Sequence, residues 1–66
     1  MKKQIQVVAA IGNIVAFERK GKLIEGLVIS VLEKSVVVEV SLYDQLFLSL
    51  DNDRTVVNYK KVSVVS

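Results

Sequence analysis

Residues 35–42 read SVVVEVSL, and this stretch constrains the fold more than any other. In an extended chain Val36, Val38 and Val40 fall on one face, and Val37, Glu39 and Ser41 on the other. Strict alternation built from β-branched residues is the pattern of a half-buried strand. The same period recurs along the chain. Residues 13–18, NIVAFE, put Val15 and Phe17 on one face. Residues 25–33, EGLVISVLE, read as a second strand with Gly26 near its start. Residues 54–58, RTVVN, and 62–65, VSVV, read as a fourth and a fifth. Glu33-Lys34 makes a tight hairpin connection, and NYKK leaves room for one 3₁₀ turn. Residues 4–10 fit either a strand or a helical turn. Helical periodicity is poor nearly everywhere.

A chain of 66 residues is one domain. At this size only about 60% of the unfolded surface is buried, so stability usually needs a staple. With no cysteine, disulfides and thiolate metal sites are excluded. With no histidine, the commonest acid–base group and metal ligand is missing as well. What remains is a dense apolar core or self-association, and a hydrophobic content of 52% suits both. Closing valine-rich strands into a barrel also removes edges that would otherwise invite aggregation. The expected fold is therefore all-β: a small SH3-like (KOW-like) barrel of about five strands spanning 11–66. Residues 1–10 form an N-terminal segment whose order the sequence leaves open. Val15, Phe17, Val28, Val31, Val36, Val38, Val40, Val57 and Val62 are the expected core.

The stretch ERKGKLIEGLVIS, Glu18 to Ser30, poses a sharper question. Gly21 and Gly26 have the spacing of the two glycines in a phosphate-binding P-loop. That motif also needs Lys and Ser or Thr after the second glycine, opening a helix. Here Leu27 and Val28 follow, in a strand. Turn geometry explains Gly21 through a positive φ, and a sharp strand bend explains Gly26. The cations Arg19, Lys20 and Lys22 crowd the turn. With Lys60 and Lys61, and with Lys2 and Lys3 on the N-terminal tail, they could grip a phosphate backbone. Glu18 and Glu25 offset much of that charge, and the net charge is only +2. Aromatics at 6% supply few rings for base stacking.

Catalytic chemistry finds no foothold. Ser30, Ser35, Ser41 and Ser63 lie in strand patterns or turns without a nucleophile-elbow motif. Glu25, Glu33 and Glu39 read as outward strand positions, and so small a barrel lacks room for a deep pocket. Asp51-Asn52-Asp53 lacks the glycine and distal glutamate of a calcium loop and reads as a polar turn. No enzyme activity, no cofactor, no metal site and no small-molecule substrate are expected.

The N-terminus, MKKQIQVVAAIGN, resembles the start of a signal peptide, but Gln4 and Gln6 interrupt a short apolar patch. Apolar runs reach only about four residues, far below a membrane span. A cytoplasmic protein without a membrane segment is expected.

Residues 43–53, YDQLFLSLDND, complete the chain. Leu46, Leu48 and Leu50 alternate along one side with Phe47 on the other. The segment either extends the third strand's hairpin or forms a loop over the barrel mouth. A five-strand barrel has one interior, so the second apolar face makes Leu46, Phe47, Leu48 and Leu50 candidates for a protein-interaction or self-association surface.

The residues quoted above carry a family likeness. IGNIVAFERKGKLIEGLVISVLEKSVVVEV, then RTVVNYKKVSVV, resembles the YkvS-like family, short bacterial proteins classed as a domain of unknown function. The likeness runs from Ile11 to Val65. Its most specific parts are Ile11-Gly12 with Phe17, Gly26-x-Val28-x-x-Val31, and Arg54 to Asn58. A wider likeness is to KOW-type SH3-like barrels such as the C-terminal domain of NusG-type transcription factors. Gly12-Asn13 stands where that pattern has Gly-Asp, and Gly26-Leu27-Val28 matches its later glycine and valine. A third is to Sm-like proteins of the Hfq type, with Lys61 where their closing motif needs histidine. The last two imply RNA or ribosomal and transcription partners, and the Sm likeness a ring. Two functions stay open: a binding module for a protein partner or for itself, and a nucleic-acid-binding accessory protein using Arg19, Lys20, Lys22, Lys60 and Lys61.

Overall fold

The computed structural model describes residues 9–66. Residues 1–8, including Lys2, Lys3 and most of the ambiguous 4–10 segment, lie outside the described residues. Five strands, β1 (Ile14–Arg19), β2 (Lys22–Val31), β3 (Ser35–Glu39), β4 (Arg54–Asn58) and β5 (Ser63–Val64), form one antiparallel sheet. Its order is β4-β3-β2-β1-β5. A helix, α1 (Leu42–Leu48), links β3 to β4, and a 3₁₀ turn, Tyr59–Lys61, links β4 to β5. The fold is all-β and barrel-like, but no backbone ladder joins β4 to β5, so the sheet is not closed.

The β1–β2 hairpin pairs Arg19 directly with Lys22. Only Lys20 and Gly21 lie between, at φ 55° and 75°. Two central residues with positive φ make the hairpin turn whose twist matches the flanking strands. Gly21 takes that conformation freely; Lys20 takes it at a cost.

β2 serves two hairpins. Its first half pairs with β1 from Arg19↔Lys22 to Ile14↔Leu27, and its second half pairs with β3 from Leu27↔Glu39 to Val31↔Val36. The register shifts between Val28 and Ser30, which leaves Ile29 as the extra residue of a bulge. Gly26 sits at the junction of the two halves. A Cβ there would run into Val38 Cγ1 and lie 2.7 Å from the Glu39 carbonyl oxygen. Gly26 thus permits the close backbone approach that lets β2 bend.

The core gathers Val15, Phe17, Ile24, Val28, Val36, Val38, Val40 and Val57 on the inner faces, with Ala9 and Leu48. Val62 packs against it, half-buried. The core differs from expectation at several positions: Ala9, Ala16, Ile24 and Leu48 are buried without belonging to the expected set, Val62 is only half-buried, and Val31 is exposed. Val31 shares a face with Val36 because the bulge shifts the phase, yet it is 40% exposed because it is the last rung of β2. Ile24 lies outside the expected core because β2 begins at Lys22, three residues before the Glu25 start that the pattern suggests. It faces Phe17 directly, and both are fully buried.

Residues 43–48 of the 43–53 segment form neither a strand extension nor a loop but a helix, and only 49–53 are a turn. β3 ends at Glu39, and residues 42–48 form α1. Ser41 caps it, its Oγ accepting from the Asp44 backbone N–H at 3.2 Å. Ser49, at φ 59°, ends it in the left-handed region, and the Leu50 N–H donates to the Gln45 carbonyl at 3.0 Å. Seven residues are too few for a stable isolated helix, so tertiary contacts hold it.

A helical face beside a basic turn

The turn cations point at different neighbours. Arg19 donates from Nη1 to Thr55 Oγ1 at 2.7 Å and from Nη2 to the Val56 carbonyl at 3.4 Å. Its guanidinium carbon lies 5.2 Å from the centroid of the Phe17 ring. Lys20 Nζ donates to the Phe47 carbonyl at 3.3 Å. Lys22 Nζ pairs with the Asp44 carboxylate at 3.3 Å and stands over the Tyr43 and Phe47 rings, 4.3 and 4.8 Å from their centroids. Arg19 and Lys22 are cross-strand partners, and like charges directly opposite repel. Their divergence, one toward β4 and the other toward α1, relieves that repulsion. All three cations are therefore engaged within the molecule.

Lys60 and Lys61 are exposed and stand elsewhere. The 3₁₀ turn is anchored at the β2–β3 connection: the Tyr59 N–H donates to the Lys34 carbonyl at 3.1 Å and its hydroxyl to the Leu32 carbonyl. Asn58 Oδ1 caps the turn by accepting from the Lys60 N–H at 2.8 Å. Among the described residues, no hydrogen bond or ion pair joins these two lysines to Arg19, Lys20 or Lys22. The five cations that the sequence grouped together thus belong to two separate structural features.

The apolar candidates also separate. At 3.6 residues per turn, positions two apart point to nearly opposite sides of a helix. Leu48 accordingly enters the core at 7% exposure while Leu46 stands 69% exposed. Leu48 is a core residue and drops out of the interaction surface. Leu50, past the helix end, packs half-buried against the core. Phe47 is partly covered by Lys22. Leu42 and Tyr43, which strand alternation does not single out, join Leu46 on the exposed side at 68% and 70%. Leu42 and Leu46 are neighbours at i, i+4 on that face. The signal for this arrangement is present in the sequence: Ser41-x-x-Asp44 has the spacing of a capping box, and residues 42–48 contain no β-branched residue.

The Asp51-Asn52-Asp53 turn is shaped by its own side chains. Asn52 Oδ1 accepts from the Arg54 N–H at 2.8 Å, and the Val40 N–H donates to the Asp53 carbonyl at 2.8 Å.

Residues 7–65 match the model of a family described as "Uncharacterized protein conserved in bacteria (DUF2187)". The chain belongs to that family. The family match covers nearly the whole chain, in line with the expected likeness to a small bacterial domain of unknown function. No curated protein and no solved structure matches this chain. Among the described residues, no helix is long and apolar enough to cross a membrane.

Proposed function

We propose that this chain is a small non-enzymatic binding module that docks a protein partner, or a second copy of itself, through the exposed face of α1. The observation that carries this reading is the helix itself. Leu42, Tyr43 and Leu46 are each more than two-thirds exposed on a seven-residue element held to the barrel by Leu48 and Lys22. Clustered exposed apolar side chains on a supported helix favour protein contact. The alternative, RNA or DNA binding through Arg19, Lys20, Lys22, Lys60 and Lys61, has less support. Three of those cations already have partners within the molecule, and the other two belong to a different feature. The cytoplasmic setting expected from the sequence accompanies this proposal.

The test uses Leu42→Ser with Leu46→Ser. Affinity capture from the native bacterial host and light scattering on purified protein would be run for both chains. The double substitution is expected to remove the captured partner, or the self-association, while circular dichroism stays unchanged. Retention of every partner and of the oligomeric state would overturn the reading.

A further inference from the structure

We infer that Arg19 is the clasp of this open barrel: it ties β1 to β4 and masks a β4 edge along which two copies of the chain could otherwise join. This inference is independent of the α1 reading and concerns a different surface.

Among the described residues, sheet order leaves β4 as an edge strand. The direction of its backbone groups follows from its flanks. The Val40 N–H donates to the Asp53 carbonyl, and the Tyr59 N–H donates to the Lys34 carbonyl. Between these bonds the register runs from Glu39↔Arg54 to Ser35↔Asn58 without a shift. Antiparallel hydrogen-bonded pairs occur at every second residue. Thr55 and Val57 therefore turn their backbone groups toward β3, and Arg54, Val56 and Asn58 turn theirs outward.

Two of those outward groups are covered. Asn52 Oδ1 takes the Arg54 N–H, and Arg19 Nη2 donates to the Val56 carbonyl. Arg19 is anchored for this by its 2.7 Å bond to Thr55 Oγ1 and by its position over Phe17. The arginine fork suits the place, since one planar group donates to two acceptors on β4 while lying over a ring. Unprotected edges of this kind template further strand pairing.

A second copy is the occupant that the edge fits. A two-fold antiparallel pairing centred on Val56 sets Val56 against its own copy. It sets Arg54 against Asn58, so no like charges meet. The Val56 side chain is 54% exposed and ready to pack across such a seam.

Because the chain has no cysteine, Val56→Cys introduces a single thiol. In the paired edge the two Cα atoms at this position would stand about 5.5 Å apart, within disulfide reach. Val56→Cys alone, and combined with Arg19→Ala, Arg19→Lys or Thr55→Val, would be oxidised and the covalent dimer followed over time, with circular dichroism reporting the fold. Arg19→Ala is expected to raise the rate of dimer trapping several-fold. Arg19→Lys and Thr55→Val should give intermediate rates. Trapping in a folded Arg19→Ala variant at the rate of Val56→Cys alone overturns the proposal. Should Arg19→Ala fail to fold, unchanged trapping in Thr55→Val overturns it equally.

Discussion

The Lys22 ammonium and the Asp44 carboxylate stand 3.3 Å apart, joining the first hairpin to α1 across 22 positions of sequence. Asp44 also binds Ser41, its Oδ2 accepting from the Ser41 hydroxyl at 3.2 Å. One carboxylate thus serves both the start of the helix and its attachment to the sheet. Asp44 is 15% exposed at its side chain, Lys22 36%.

Asp44→Ala removes both carboxylate links while the Ser41 cap on the backbone N–H of residue 44 stays, and the expected loss is about 1 kcal/mol, that of a first-turn hydrogen bond and a partly screened ion pair. A double-mutant cycle with Lys22→Met in urea isolates the pair itself. The expected coupling is about 0.5–1 kcal/mol and shrinks with added salt. A coupling that does not respond to salt would show that the Lys22 contact is apolar packing on Tyr43 and Phe47.

Gly26→Ala and Gly21→Ala separate two reasons for a glycine. At Gly26 the new methyl meets the fully buried Val38 and the Glu39 backbone, neither of which can yield cheaply. The expected cost is about 3 kcal/mol, the upper part of the range for overpacking. At Gly21 the space is open, and only the positive φ resists a side chain. The expected cost there is about 1 kcal/mol. Chemical denaturation midpoints of the two variants measure the difference, and equal losses would refute the close-approach account.

The core boundary along the barrel is testable by truncation. Phe17→Ala is expected to cost about 3–5 kcal/mol, a large share of what a domain this small holds in reserve. Val31→Ala, on the exposed last rung of β2, should cost less than about 1 kcal/mol. A thermal melt of each variant distinguishes them.

Nucleic-acid binding should be weak and blind to sequence. Titrations with RNA and duplex DNA are expected to show any low-salt affinity collapsing by about 0.2 M salt. Lys60→Ala with Lys61→Ala should weaken that residual affinity more than Lys22→Ala, because Lys22 is already paired with Asp44. Tight binding that survives high salt would reverse the order of the two functional readings.

Much of the strand architecture was legible. Alternating valines placed β3 and its inner face, RTVVN matched β4, and NYKK matched the 3₁₀ turn. These assignments succeed because side-chain alternation is a local consequence of an extended backbone. The 43–53 segment failed for a related reason. LFLSL fits period two over five residues, and so short a window does not separate a strand from a helix whose buried side is a single leucine. The capping pair Ser41 and Asp44 was the stronger signal.

By itself, the sequence determined an all-β chain of short strands, with a glycine turn at Gly21, a bend at Gly26 and no means of cross-linking itself through cysteine. Those properties follow from backbone sterics and composition, which act locally. Only the tertiary structure decided which cations are already engaged and which leucines are buried. Arg19, Lys20 and Lys22 look alike in sequence, but the fold of the first hairpin sends them to β4, to the end of α1 and to Asp44. Leu46 and Leu48 look alike too, and a helix turns one to solvent and the other into the core. Charge and hydrophobicity belong to a residue; partners and exposure come from chain segments brought together by folding.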